Sequence, residues 1–239
     1  MKKLLLRKII ENINGEIISG DDSLYVTNFV TRAKWLRDGG LLFDIYHDKI
    51  NPQTAFAGIK NCAVITAHPS GFYPSPPGVT IIKTEDIKEA FWDFVSYYRD
   101  LFDIPVIGVT GTCGKTTTKE MIKHILEGDF KVTATYKSKN GQHHHLDYLL
   151  DFNDDTQAAV IEMGVAYPDD MKICCRYFKP SVGVITNIGI DHLQGFGTLE
   201  KYIEGKAQIL EGLQYEGTLI LNADDVNIKT IDLSSYRGR

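Results

Sequence analysis

Eleven residues, Gly108-Val109-Thr110-Gly111-Thr112-Cys113-Gly114-Lys115-Thr116-Thr117-Thr118, bring small side chains, a lysine and a run of hydroxyls together. Small residues in succession let backbone N–H groups turn inward around phosphate oxygens, and a helix starting just beyond adds its positive end. On this reading Gly111, Thr112 and Gly114 shape the loop and Lys115 reaches the β- and γ-phosphates of a nucleotide. The hydroxyl of Thr116 or Thr117 is then free to ligate Mg²⁺. The usual Gly-x4-Gly-Lys spacing is missed by one residue, because position 109 is Val and Gly108 lies one further out. The bland alternative is a Gly-rich strand-to-helix turn that binds nothing.

Other groups of the right chemistry follow. Glu162 is an acid at the end of an otherwise apolar run, costly in a core unless paired or bound to a metal. Beside a phosphate loop, Mg²⁺ ligation is the economical role for it, against a structural salt link. Asp191-His192 comes shortly after Asn187-Ile188-Gly189, at another strand end. Lys206 falls inside a helical stretch, where a lysine by chemistry alone is a solvated surface charge. Asn140-Gly141-Gln142-His143-His144-His145 invites a metal site, yet three adjacent histidines cannot all point one way on a helix or strand. A polar loop or helix start, or contact with a ligand, are the competing readings. Lys137 and Lys139 either meet an anionic substrate or face water.

These candidates need elements to hold them. Pro105–Val109 is an apolar strand of the kind buried on both faces, followed by a helix over 115–126 and strands at 132–136, 158–164, 181–187 and 218–222. A helix over 199–213 precedes the last strand. Strands alternating with helices imply a mostly parallel sheet, whose ligands collect beyond the carboxyl ends of its strands. Before residue 101 the pattern predicts strands at 41–45, 62–66 and 79–82 and a helix over 52–59. A proline-rich loop covers 67–77, and a helix over 85–101 carries Ala90, Phe91, Phe94, Val95, Tyr98 and Leu101 on one face. The fold class is therefore α/β. A small N-terminal α/β domain (1–101) is followed by an incomplete, P-loop-containing, mostly parallel sheet domain (102–239).

At 239 residues and 43% hydrophobic content the chain can build one large core or two ordinary ones. A net charge of −5 gives no electrostatic case for nucleic acid. The apolar start Leu4-Leu5-Leu6 is cut short by Arg7 and Lys8, which argues against a signal peptide. No window has the length of a membrane helix. Cys62, Cys113, Cys174 and Cys175 show no ligand-like spacing and suit a reduced cytoplasmic protein.

Three blocks, Gly108 to Glu120, Ala159 to Gly164 and Pro180 to Leu213, together with Asn222-Ala223-Asp224-Asp225, make the second region resemble the central ATP-binding domain of the Mur ligase family. Within it the similarity is greatest to the branch that adds D-alanyl-D-alanine to a UDP-N-acetylmuramoyl tripeptide. The resemblance implies ATP and Mg²⁺, with Lys115 on the ATP phosphates, Thr116 and Glu162 at the Mg²⁺ and His192 at a second metal site. Lys206 falls where the family carries a carbamylated lysine supporting that second metal, and Asn222 falls near the nucleotide base. The implied reaction activates a substrate carboxylate as an acyl phosphate, which an incoming amine attacks to form an amide. Lys115, His192 and Lys206 would be its catalytic residues.

The first region has the order of a Mur-type UDP-binding domain, with Thr31-Arg32 near its Ser-Arg signature. Tyr46 to Thr54 lacks the Asp-Gly-His-rich run of the family. Asn140-Gly141-Gln142-His143-His144 stands where related ligases carry paired asparagines and an Ile-Gly. Both departures touch the nucleotide-sugar side, so a Mur-type ligase acting on another carboxylate is an alternative. The family continues into a C-terminal ligase domain that has no counterpart before Arg239. The expectation is a chain inactive alone, a piece of a longer ligase or a short homologue served by a separate C-terminal domain chain. A non-catalytic nucleotide-binding or regulatory protein is the competing class. The block Asn187 to Gly197 argues against a kinase.

Overall fold

A computed structural model describes residues 1–46 and 51–239. The chain divides into two compact units, Met1–Asp100 and Leu101–Arg239.

The first unit runs β1 (Leu4–Leu5), α1 (Leu6–Asn12), β2 (Glu16–Ser19), β3 (Tyr25–Val26), β4 (Asn28–Val30), β5 (Gly40–Phe43), α2 (Pro52–Ala55), β6 (Cys62–Thr66), β7 (Val79–Lys83) and α3 (Ile87–Asp100). Its five-stranded sheet has the order β2-β7-β6-β5-β4, parallel except where β2 meets β7, while β1 and β3 form a separate antiparallel pair. The aromatic face of α3 is core: Phe94 stacks on Phe29 with centroids 4.5 Å apart, and Phe43 and Phe91 pack edge to face. The strands β1 to β4 were not expected, because strands of two to four residues are too short to display a period. The helix expected over 52–59 stops at Ala55, and Gly58 takes a positive φ of 79° three residues on. In the stretch Tyr46 to Thr54, residues 47–50 lie outside the described residues.

The second unit contains β8 (Val106–Thr110), α4 (Lys115–Leu126), β9 (Val132–Ala134), α5 (His145–Leu150), β10 (Ala158–Glu162), α6 (Asp170–Phe178), β11 (Val182–Ile185), α7 (Leu193–Phe196), α8 (Leu199–Ala207), α9 (Ile209–Gly212) and β12 (Thr218–Leu221). All five strands are parallel in the order β12-β11-β8-β10-β9. The α/β class with a parallel sheet is therefore as expected. Ile107, Val109, Val160 and Val184 form one apolar face, with Ile122 and Leu126 of α4 packed on it.

Between β10 and β11 the chain crosses from one side of β8 to the other, so the carboxyl end of β8 is the switch point at which such sheets bind ligands. The register puts Glu162 opposite Val109 and Ile185 opposite Thr110, bringing three strand ends together there. The single helix expected over 199–213 is two, meeting at Gln208. The helix α6 was not anticipated, and α5 begins at His145, where a helix start was one of the readings. Among the described residues no helix is long and apolar enough to cross a membrane.

Candidate functional site

The loop between β8 and α4 is fixed by backbone demands that glycine meets. Gly111 has φ 146°, and a Cβ there would lie 2.0 Å from Thr186 Oγ1. Gly114, with φ 79°, caps α4 without any side-chain bond. The first helical hydrogen bond runs from Thr118 N to Gly114 O. The amides of Lys115, Thr116 and Thr117 thus have no partner within the helix and open toward the loop, as anion-binding helix starts do. Asn187 braces the turn: its Oδ1 accepts from Cys113 N at 2.8 Å, its Nδ2 donates to Cys113 O at 2.9 Å, and its carbonyl accepts from Thr112 N at 2.8 Å. Lys115 Nζ folds over the loop, donating to Gly111 O and Thr112 O at 3.0 Å each. A lysine held at the loop mouth beside unpaired amides fits the phosphates of a nucleotide.

Glu162, at the end of β10, is 1% exposed. Thr116 Oγ1 donates to its Oε2 at 2.8 Å, and Asn140 Nδ2 donates to its Oε1 at 2.7 Å. A buried carboxylate and a hydroxyl within hydrogen-bond distance, next to a phosphate cradle, are the hard oxygen ligands a Mg²⁺ takes. The donor set fits that ion. Gly164 lets Asn140 approach, since a Cβ there would meet Asn140 Oδ1 at 2.6 Å.

Lys206 corrects the expectation from residue type alone. It is not a surface charge but 1% exposed, and Nζ donates to Gly111 O at 3.0 Å and stands 4.5 Å over the Tyr202 ring. Burial pushes its ammonium down to about 7, the Lys115 charge adds to the effect and Asp191 opposes it. An amine so poised is available as a nucleophile or for carbamylation. His192 is exposed, with φ 50° at the start of α7 and Nε2 3.5 Å from Asp191 Oδ2. A cavity of about 130 Å³ gathers Lys115, Asn140, Asp170, His192, Tyr202 and Lys206.

Asn222 lies just past β12, donating from Nδ2 to Thr186 O at 3.1 Å, and Thr117 is exposed in the first turn of α4. The three histidines do not all point one way: the His143 and His144 rings lie together, centroids 4.0 Å apart, and His145 turns away from them. His143 and His144 lie partly or fully exposed, while His145 turns inward against Tyr177 and Phe178. Among the described residues no group of three or more His, Cys, Asp or Glu is placed to hold a metal. Residue patterns missed Asn140 as a partner of Glu162, and Asp170, which accepts from Ala166 N and Tyr167 N at 2.8 Å and ties down the wall of the cavity. The one available signal was the asparagine pair that related ligases carry near position 140.

Residues 109–236 match the profile of the Mur ligase middle domain, more than half of the chain. The chain belongs to the Mur ligase family. The match begins in β8 and ends at Tyr236, so it takes in the loop, Glu162, His192 and Lys206. This Mur ligase family member is 34% identical over 156 residues to UDP-N-acetylmuramoyl-tripeptide--D-alanyl-D-alanine ligase of Bacillus subtilis (strain 168), covering 64% of this chain and 34% of that one. With the enzyme of the same name from Synechocystis sp. (strain ATCC 27184 / PCC 6803 / Kazusa) it shares 29% identity over 242 residues, 98% of this chain and 52% of the other. Among solved structures it resembles the MurF ligase of Thermotoga maritima in complex with ADP. The TM-score is 0.69 at 23% identity, over 89% of this chain and 49% of that one, a likeness of fold. The chain thus spans about half the length, or less, of these relatives.

Proposed function

We propose that this chain binds ATP with Mg²⁺ at the carboxyl end of its second sheet and serves an amide-forming ligase of the Mur type. The substrates are a UDP-N-acetylmuramoyl tripeptide and D-alanyl-D-alanine, and the setting is the cytoplasm. One observation carries the reading: Lys115, at a loop of open amides, is next on α4 to Thr116, whose hydroxyl meets the Glu162 carboxylate at the end of β10. The ADP held by the Thermotoga maritima ligase, whose fold this chain shares, and the names of the curated relatives support it.

In this reading the amides of Lys115, Thr116 and Thr117 and the Lys115 ammonium hold the β- and γ-phosphates. Thr116 and Glu162 would hold the Mg²⁺, which when bound would supply positive charge to the phosphates during transfer to the substrate carboxylate. Lys206, if carbamylated, and His192 would support a second metal, and Asn222 would lie at the base. The first unit, Met1–Asp100, holds the uridine nucleotide of the substrate.

Binding of ATP, measured by calorimetry with Mg²⁺ present, tests the site. A lysine–phosphate hydrogen bond contributes about 1.5–3 kcal/mol, so Lys115→Ala should weaken binding about 10- to 150-fold. Equal affinity in the variant and the parent would overturn the assignment of the loop. Formation of the amide product by the protein isolated from its native cells, read by mass and by phosphate release, tests the reaction.

A further inference from the structure

Lys119 lies on α4 four residues after Lys115 and three after Thr116, on the same side of the helix. Its side chain is 0% exposed. Nζ donates to Thr135 O at 2.8 Å and pairs with the Glu120 carboxylate. A buried ammonium carries a desolvation cost that an apolar residue of the same length avoids. Packing therefore gives no reason for a lysine here.

The carbonyl it holds gives one. Thr135 directly follows β9 and is itself buried, its amide donating to Val160 O at 3.3 Å. Its Oγ1 accepts from Glu162 N at 3.0 Å. The chain leaving Thr135 then returns at Asn140, whose Nδ2 donates to Glu162 Oε1. Thr135 thus governs Glu162 twice, through its own hydroxyl to the backbone and through the loop to the carboxylate.

We propose that Lys119 is a positioning residue for Glu162. Its ammonium ties the Thr135 carbonyl to α4, and so sets the separation between Thr116, carried by α4, and the Glu162 carboxylate, carried by β10. The inference rests on the reading of that pair as the Mg²⁺ ligands. It concerns a residue that touches neither nucleotide nor metal, and a merely structural lysine would change stability without changing metal-linked binding.

The experiment uses the whole chain with Lys119→Met, which keeps the stem and removes the ammonium, and with Thr135→Val, which removes the hydroxyl. ADP is the probe, titrated first with a chelator and then across a Mg²⁺ series, and hydrogen exchange is followed at the Glu162 amide in ligand-free protein. Groups that orient metal ligands are worth about 10- to 100-fold in metal affinity, so the gain in ADP affinity from Mg²⁺ should shrink by about 10-fold in both variants. Metal-free ADP affinity should stay within about twofold, because the loop amides are untouched. The Glu162 amide should exchange faster in both.

A folded Lys119→Met protein with the full Mg²⁺ gain and unchanged Glu162 exchange overturns the proposal. If that variant does not fold, Lys119→Gln, whose uncharged and shorter side chain loses the Thr135 carbonyl, decides: retention of the Mg²⁺ gain overturns the proposal, and its loss supports it. Parent protein that binds ADP with no gain from Mg²⁺ overturns the metal reading of Thr116 and Glu162, and the role of Lys119 with it. That pattern is distinct, because the parent itself then lacks the gain.

Discussion

Replacing His145 by Phe should make the second unit markedly more resistant to acid. His145 is 1% exposed, and neither ring nitrogen meets a hydrogen-bond partner among the described residues. Burial pushes the imidazole from 6.5 down to about 4. The Asn140 backbone and the Asp170 carboxylate oppose the shift without reaching a ring nitrogen in hydrogen-bond geometry, and His143 and His144 reinforce it. Between the unfolded and folded values the unfolded chain takes up a proton that the folded one refuses. Stability is therefore full above about 6.5 and is lost as pH falls toward 4, at about 1.4 kcal/mol per pH unit. From pH 8 to pH 4.5 the loss from this one group is about 2–3 kcal/mol. Phe cannot titrate, and any misfit of its larger ring is the same at both pH values, so the pH-dependent difference isolates the imidazole. Urea unfolding followed by circular dichroism at the two pH values measures it. Trp35 and Trp92 both lie in the first unit and report that unit separately by fluorescence. Parent and variant losing stability in parallel, to within about 0.5 kcal/mol, would refute the picture of a neutral buried imidazole.

Lys206 titrates with the same sign in a higher pH window. An unfolded lysine keeps its proton to about 10.5, while the buried one releases it near 7, so stability rises with pH across that window. Lys206→Met should flatten the rise by about 2–3 kcal/mol between pH 7.5 and 9.5, read by denaturant unfolding at both values. Gly164→Ala puts a Cβ 2.6 Å from Asn140 Oδ1 and should break the Asn140–Glu162 bond. A cost of about 1–3 kcal/mol in stability is expected, with a weaker Mg²⁺ dependence of ADP binding. Unaltered values of both would show that the loop yields freely.

The legible parts of this molecule were those with a long period or an unusual composition. The apolar runs of β8, β10 and β11 are buried strands, and the broad aromatic face of α3 announced its own burial. The tight loop between β8 and α4 was legible because glycine, lysine and threonine at that spacing mark a strand-to-helix turn. Lys206 was not: its helix has a solvated side and a buried one, and only the tertiary fold turns the lysine toward Gly111. Asn140 was hidden for a similar reason, since its partner lies 22 residues away on another strand and the histidines beside it drew attention to metals. The short strands before residue 31 escaped because pairing, and not local pattern, defines them.

The carboxylate of Glu162 has a consequence for the proposed Mg²⁺ site. Both of its oxygens are already satisfied by the protein, one by Thr116 and the other by Asn140. A buried charge with its own donors needs no cation to keep it in place, unlike the thiolates of small metal-dependent domains, which fold only around their ion. Folding and loading are then two separate events in a definite order. On the proposed Mg²⁺ reading, a cation arriving later would displace the Thr116 hydrogen bond rather than organise a strand. The ion would come and go with the architecture around Glu162 left in place.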